Sequence, residues 1–501
     1  MNLAHFADLL PVGVVLTAAL VVVFLGLILD AKDRFVIALV AMAGCVLGLG
    51  VLAQNYVSFE AYYKVTPPWF GPLDSARVAG HTALICGGAF MVDGFGMAIM
   101  AIALLAGALA TLVAGHSSER SALTSGEYHG LLLLAVAGMM LLGISHDFLT
   151  LLISLEIMSV ATYILAGSQR EDVRSGEAAI KYLTLGAFST ALLMLGMAFV
   201  FGATGSLSLN PISMAASDPR RGLALLGMGL LLVGVLFKVG AAPFHFWIPD
   251  VYEGAPTGVT GLMAVGVKAA AFAVVARLMF ETFSHPSFRQ QWVPLLASAS
   301  VLTMALGNLL ALRQNSIKRM LAYSGIAHTG YLLLAFLVPR EVGASVVEEH
   351  LQAVTFYLLA YGLMTMGAFG VVALVREDGR ALETMDDFAG LAKAHPALAL
   401  CMSIFMLSLS GMPPLAGFFA KFMVFRAAIE QGYVFYAMLG ILTSIASLYY
   451  YLRVVLKMYM EEPAGAAPRC HYVWTSNVLI YTAGALTFVL GILPHWIIGL
   501  R

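Results

Sequence analysis

The sequence predicts an all-α polytopic membrane protein of about 14 transmembrane helices, and three observations carry that expectation. Composition is the first: of 501 residues, 60% are hydrophobic and 11% charged, with a mean hydropathy of +0.90. No soluble domain of this length needs so apolar a surface. The second is a succession of apolar runs of about 20 residues, long enough to cross about 30 Å of hydrocarbon as a helix. The third is a small set of ionisable and helix-breaking residues placed deep inside those runs, where they are costly and by default functional.

Taken in order, the spans fall near residues 9–29, 35–54, 91–114, 128–145, 148–167, 177–203, 223–247, 256–281, 292–312, 318–338, 351–375, 397–428, 433–458 and 476–498. The first follows no basic leader and no obvious cleavage site, which reads as a retained helix and not a signal peptide. Between the second and third spans lies NYVSFEAYYKVTPPWFGPLDSARVAG. It is aromatic, proline-rich and too polar to span, and Trp69 and the tyrosines suit a membrane interface. The connector 376–395 places Phe388 and Leu391 among charges, the pattern of an amphipathic link. The expected organisation is an N-terminal block 1–127 with an interfacial loop at 55–90, a first unit 128–281, a second unit 292–458 and a C-terminal helix within 476–501. Loops after odd-numbered spans carry about 12 Lys and Arg against about 7 on the other side, which puts both termini outside.

Several function classes are disfavoured. The net charge of −1 suggests no nucleic-acid partner. The four cysteines, Cys45, Cys86, Cys401 and Cys470, are scattered with no CxxC, so no iron–sulfur or zinc site is suggested. No GxxxxGK[ST] marks a P-loop, and no facing histidine pairs mark a haem.

The chain is organised around residues 231–256, LLVGVLFKVGAAPFHFWIPDVYEGAP. An apolar helix runs into Lys238, is interrupted at Gly240 and Pro243, and is followed by His245. A lysine at the bilayer centre costs about 2.5–3.5 kcal/mol on insertion scales. Pro243 lacks a donor and disturbs the turn before it. Freed backbone groups at membrane depth are tolerated only inside protein or beside water. Lysine, break and histidine together point to a polar cavity inside a bundle. The bland reading is a kinked helix with a snorkelling lysine, and Lys238 lies too deep for it.

The design recurs. Residues 408–426 read SLSGMPPLAGFFAKFMVFR, with Gly411-x-x-Pro414 over Gly240-x-x-Pro243 and a lysine, Lys421, in the same span. Paired broken helices at matching positions are the sign of a repeated transporter core. Spans 4–8 and 9–13 would form two five-helix units, of opposite topology because each holds an odd number of spans. Chance likeness of two Gly/Pro patterns is the competing reading.

The remaining deep ionisable groups extend the pattern. Glu156 sits mid-helix in FLTLLISLEIMSVATYIL and is the natural partner for Lys238. Lys268 lies in GLMAVGVKAAAFAVV with no local acid. Lys181 is about one turn into its span, where snorkelling explains it equally well. For His328, in YSGIAHTGYLL, a satisfied core role and a proton relay are equally good readings. His245 has a similar balance, tilted by the adjacent break. Asp93 reads as a capping or interface residue, and His146 and Asp147 as a solvated turn. A file of lysines begun by a glutamate suits proton conduction, since burial lets lysine exchange protons near neutral pH.

At this point SLEIMSVATYIL (154–165), FKVGAAPFHFWIPDVYEGAP (237–256), QNSIKRMLAYSGIAHTGYLL (314–333), GFFAKF (417–422) and YYYLRV (449–454) together resemble the antiporter-like membrane subunits of complex I, the proton-pumping NADH:quinone oxidoreductase. The resemblance covers roughly residues 90–498. The LEIMS motif, the lysine in span 12 where the M type carries glutamate, and YYYLRV favour the N type. The chain ends three residues after its last predicted span, whereas the L type continues into a long lateral helix.

The resemblance implies roles. Glu156 would be the glutamate of span 5, Lys238 its lysine partner, Lys268 the central lysine and Lys421 the lysine toward the outer exit. Lys181 matches a lysine of span 6, and His328 a polar linking residue. It implies a subunit of a respiratory complex in a bacterial cytoplasmic membrane, beside other antiporter-like and small membrane subunits. NADH, FMN, iron–sulfur clusters and quinone would belong to partner chains, with no cofactor here. An alternative within the family is a subunit of a multi-subunit sodium/proton antiporter or a membrane-bound hydrogenase. Outside it stand a proton-inactive scaffold, which would not need four deep ionisable groups, and a free-standing transporter, which should show convergent substrate-binding side chains.

Overall fold

The computed structural model describes residues 7–29, 34–63, 83–119, 123–169, 171–214, 218–377, 380–463, 468, 470 and 474–493. The helices are α1 (Leu10–Ile28), α2 (Arg34–Tyr63), α3 (Gly94–Glu119), α4 (Ser125–Ile144), α5 (Phe148–Ala166), α6 (Val173–Thr204), α7 (Arg221–Val239) and α8 (Trp247–Gly254). They continue as α9 (Thr257–Thr282), α10 (Pro286–Ala311), α11 (Ile317–Leu334), α12 (Ala344–Leu374), the short α13 (Leu391–Ala394), α14 (Pro396–Ser410), α15 (Ala416–Glu430), α16 (Val434–Met460) and α17 (Trp474–Ile492). Among the described residues, 11 helices are long and apolar enough to cross a membrane. The protein is a multi-pass helical membrane protein.

Two predicted spans are each two helices. The expected span 223–247 divides into α7 and α8 around Gly240, and 397–428 into α14 and α15 around Gly411. Both glycines hold the left-handed conformation, with φ of 77° and 90°, which favours a residue without Cβ. The peptide bonds Ala242–Pro243 and Pro413–Pro414 are both cis. The α2 helix runs on to residue 63, and the rest of the expected interfacial loop, 64–82, lies outside the described residues. Strands β1 (Ala83–Ile85) and β2 (Phe90–Val92) then form a small antiparallel hairpin before α3. In the 376–395 connector a two-residue hairpin and α13 replace a continuous amphipathic segment, and Phe388 and Leu391 are fully buried.

Burial sorts the helices. The membrane-length windows of α9 and α12 are 100% and 94% buried, against 33% in α1, α2 and α16. α9 and α12 therefore form the centre of the bundle, and the other three present apolar faces outward, as a bilayer solvent permits. Two π-helical turns, Met263–Val267 and Arg277–Thr282, flank the middle of α9, a local widening often met at functional sites. Loops after even-numbered spans meet at one end, through the bridges Phe90–Ser145 and Asp147–Ser208. Loops after odd-numbered spans meet at the other, through Ser316–Thr384 and Val375–Cys470.

Candidate proton-transfer site

Lys238 occupies the last turn of α7, where Gly240 ends the helix. Its ammonium donates to Ser159 Oγ at 2.9 Å and Tyr163 OH at 3.0 Å, both on α5, and lies 5.3 Å from the Tyr163 ring centroid. The backbone freed by the break finds partners in side chains. Thr329 Oγ1 donates to Val239 O at 2.8 Å, Trp247 Nε1 donates to Phe237 O at 3.1 Å, and Ala242 N donates to Thr303 Oγ1 at 2.9 Å. The interruption is thus paired polar structure, as burial away from water requires.

Lys268 lies in α9 between the two π turns. It donates to Gly325 O at 2.6 Å and to Tyr361 OH at 3.5 Å, with the ring centroid of Tyr361 4.8 Å away. Lys421, on α15 beyond the second break, donates to Ser410 O at 3.0 Å and Ser444 Oγ at 2.8 Å. Ser410 ends α14, so Lys421 satisfies a carbonyl that the break has freed. All three lysines are at most 4% exposed, and none makes an ion pair within 4 Å among the described residues. Hydroxyls, carbonyls and ring faces hold each one.

His328 stands between Lys268 and Lys421. Its Nδ1 is 2.7 Å from Tyr357 OH and its Nε2 3.2 Å from Tyr451 OH, while Tyr451 is also hydrogen-bonded to Ser324. Its ring centroid is 5.0 Å from that of Tyr361, which contacts Lys268. The Tyr451 ring packs on Tyr450 at 4.5 Å. Tyr450 OH donates to Asn308 Oδ1 at 3.0 Å, Asn308 Nδ2 donates to Tyr331 OH at 2.9 Å, and Lys421 lies 5.2 Å from the Tyr331 ring centroid. Hydroxyls both donate and accept, and neutral imidazole offers one of each, so these groups can pass hydrogen bonds in either sense.

Several expectations are corrected. Glu156 does not pair directly with Lys238: its carboxylate accepts from Thr190 Oγ1 at 2.9 Å, while Ser159 and Tyr163 take the ammonium. Lys181 is not in the buried file. It is 38% exposed and paired with Glu177 at 2.5 Å and Asp250 at 2.6 Å. Asp250 also binds Arg319 at 2.8 Å, and Arg319 binds Glu253 at 2.9 Å. His245 lies in the first break as expected, but its Nδ1 has no hydrogen-bond partner and no contact joins it to the lysines among the described residues.

Asp93 does cap α3, through Gly96 N at 2.7 Å, and it also pairs with buried Arg277 at 2.7 Å. The expected solvated turn is half wrong: His146 is buried, whereas Asp147 caps α5. The tyrosines, Asn308 and Arg277 were not anticipated. Tyr357 and Tyr361 are spaced by four within an aliphatic helix, and Arg277 interrupts an apolar run, so each carried a signal.

The fold and its buried lysines define a class, the polytopic membrane protein with broken helices around a polar core. Residues 145–447 match the family described as the NADH:quinone oxidoreductase/Mrp antiporter transmembrane region, and the chain belongs to that family. It is 42% identical over 411 residues to the NADH-quinone oxidoreductase subunit N of Trichlorobacter lovleyi, covering 81% of this chain and 82% of that one. It is 44% identical over 424 residues to subunit N 1 of Sorangium cellulosum, covering 82% of each. Among solved structures it is similar to a chain of the respiratory complex I of Thermus thermophilus with bound aureothin, with TM-score 0.78, 33% identity and 98% coverage of both chains.

Proposed function

We propose that this chain translocates protons as a membrane-arm subunit of a respiratory NADH:quinone oxidoreductase in a bacterial cytoplasmic membrane. The carrying observation is the row of buried lysines on α7, α9 and α15, each held by hydroxyls or carbonyls, with His328 and five tyrosines between the last two. A lysine without a carboxylate partner can lose its proton without leaving a buried anion behind, so a row of them can exchange charge in sequence. A change of charge near Glu156 would reach Lys238 through the α5 hydroxyls. Lys238 would pass its proton to Lys268, and Tyr361, in ring contact with His328, and the His328–Tyr451 hydrogen bond would lead on toward Lys421. The two breaks, alike in their glycine and proline, support the reading of spans 4–8 and 9–13 as inverted repeats. NADH, FMN, iron–sulfur clusters and quinone would reside in other chains. Neighbouring antiporter-like and small membrane subunits would cover the outward apolar faces.

The test is Lys238→Ala in the native membrane, following NADH-dependent quinone reduction and proton uptake in the same vesicles. Loss of both in an assembled complex is the expected result. Full activity in both would move the chain to a scaffold role. The matched family also spans Mrp antiporters, and the genes beside this one separate that reading.

A further inference from the structure

At the end of the bundle where α3 begins and α9 ends, four ionisable groups meet away from the lysines. Arg277, 2% exposed in its side chain, holds Asp93 through two contacts of 2.7 and 2.8 Å and Glu281 through one of 2.5 Å. His146, in the turn between α4 and α5, presents Nδ1 to Glu281 Oε2 at 3.7 Å and Nε2 to Asn210 Oδ1 at 3.2 Å. His146 Nδ1, Glu281 Oε2 and Arg277 Nε are all buried without a hydrogen-bond partner. The remaining charged group of the turn, Asp147, is occupied in capping α5 through Leu149 N and Thr150 N.

We propose that His146 and Glu281 form a proton-binding site, in which one proton taken up on Nδ1 makes an imidazolium that faces the Glu281 carboxylate across 3.7 Å. Nε2 faces a carbonyl oxygen, so in neutral imidazole it carries the hydrogen and Nδ1 keeps the lone pair. Two acceptors then confront each other, and each is costly to bury unpaired. One proton on Nδ1 turns the confrontation of two acceptors into an imidazolium–carboxylate ion pair at 3.7 Å. It also balances charge, because two carboxylates against one guanidinium leave a buried negative charge that an imidazolium cancels. The backbone holds the turn in place: His146 N donates to Ala89 O at 2.9 Å, and Leu209 N donates to His146 O at 3.0 Å.

The experiment is pH-difference infrared spectroscopy of the assembled complex in native membrane, with isotope-labelled histidine. It reads protonation whether or not the chain pumps, so its failure is distinct from failure of the proposed function. In the unsubstituted complex one histidine ring band changes together with a carboxylate band. Glu281→Gln is the deciding variant: it leaves Arg277 its Asp93 partner, and the amide N–H can donate to Nδ1, so the coupled carboxylate change disappears. His146→Gln removes both bands. Either variant assembling with both bands intact would overturn the site.

Discussion

Lys268 Nζ lies 2.6 Å from the Gly325 carbonyl oxygen, and it is the bare α-carbon of Gly325 that makes the approach possible. A Cβ there would sit 3.3 Å from Nζ and 2.9 Å from Tyr361 OH. Gly325→Ala should therefore push the ammonium and the phenol apart. Displacement of a transferring group by a fraction of an ångström is expected to slow proton transfer roughly 10-fold or more. Proton uptake by vesicles should fall while the complex assembles at normal levels, and unchanged uptake would show that Lys268 needs no fixed seat.

Tyr451 joins His328 to Ser324 through one hydroxyl. Tyr451→Phe keeps the ring and its packing on Tyr450 but removes both hydrogen bonds. If the tyrosines carry protons between Lys268 and Lys421, pumping should drop by about 10²-fold, the scale of a lost transfer group. The same change at Tyr252, which is buried in α8 but outside the chain of contacts, should leave pumping near normal. Equal effects at the two positions would mark the loss as packing.

The helical membrane class and the two breaks were legible because apolar length and glycine–proline pairs are local properties, whereas 11 helices of membrane length, against about 14 expected spans, are found among the described residues. So were Lys238, Lys268, Lys421 and His328, each conspicuous against an aliphatic background. The partners were not legible. Nothing local says that Lys268 will meet a backbone carbonyl on α11, or that Ser159 and Tyr163 will stand where Glu156 was expected. Those contacts depend on how α5, α7, α9 and α11 are rotated against one another, and apolar periodicity is faint in helices that are apolar all round. Lys181 was misplaced for a related reason: Glu177, one turn before it on α6, is a local signal, but Asp250, the other acid that draws it outward, comes from α8.

Thr303 receives the Ala242 amide at 2.9 Å and itself donates to Ala299 O. Thr303→Val would leave that amide, at the first break, buried without an acceptor. The cost should be about 1–3 kcal/mol, seen as a lower thermal transition of the purified complex. Because the break is also expected to shape the surroundings of Lys238, pumping should become more temperature-sensitive. A transition equal to that of the unsubstituted complex would mean that water replaces the hydroxyl.

Arg277 and Lys457 offer a contrast between buried and exposed ion pairs. Arg277→Met keeps the bulk of the side chain but leaves Asp93 and Glu281 buried together without their cation, and breaking such a pair costs about 3–5 kcal/mol. Assembly of the complex should fall sharply. Lys457 pairs with Asp386 at 2.7 Å, but the Asp386 side chain is 83% exposed. The Lys457 hydrogen bond holds the Asp386 carboxyl below its ordinary range, so the pair's contribution is present at neutral pH and fades as pH falls below about 4. Solvent screening keeps it to about 0–1 kcal/mol. Asp386→Asn should accordingly leave assembly and the thermal transition almost unchanged at neutral pH. A loss at Asp386 matching that at Arg277 would show that the connector, and not the depth of the charge, governs stability.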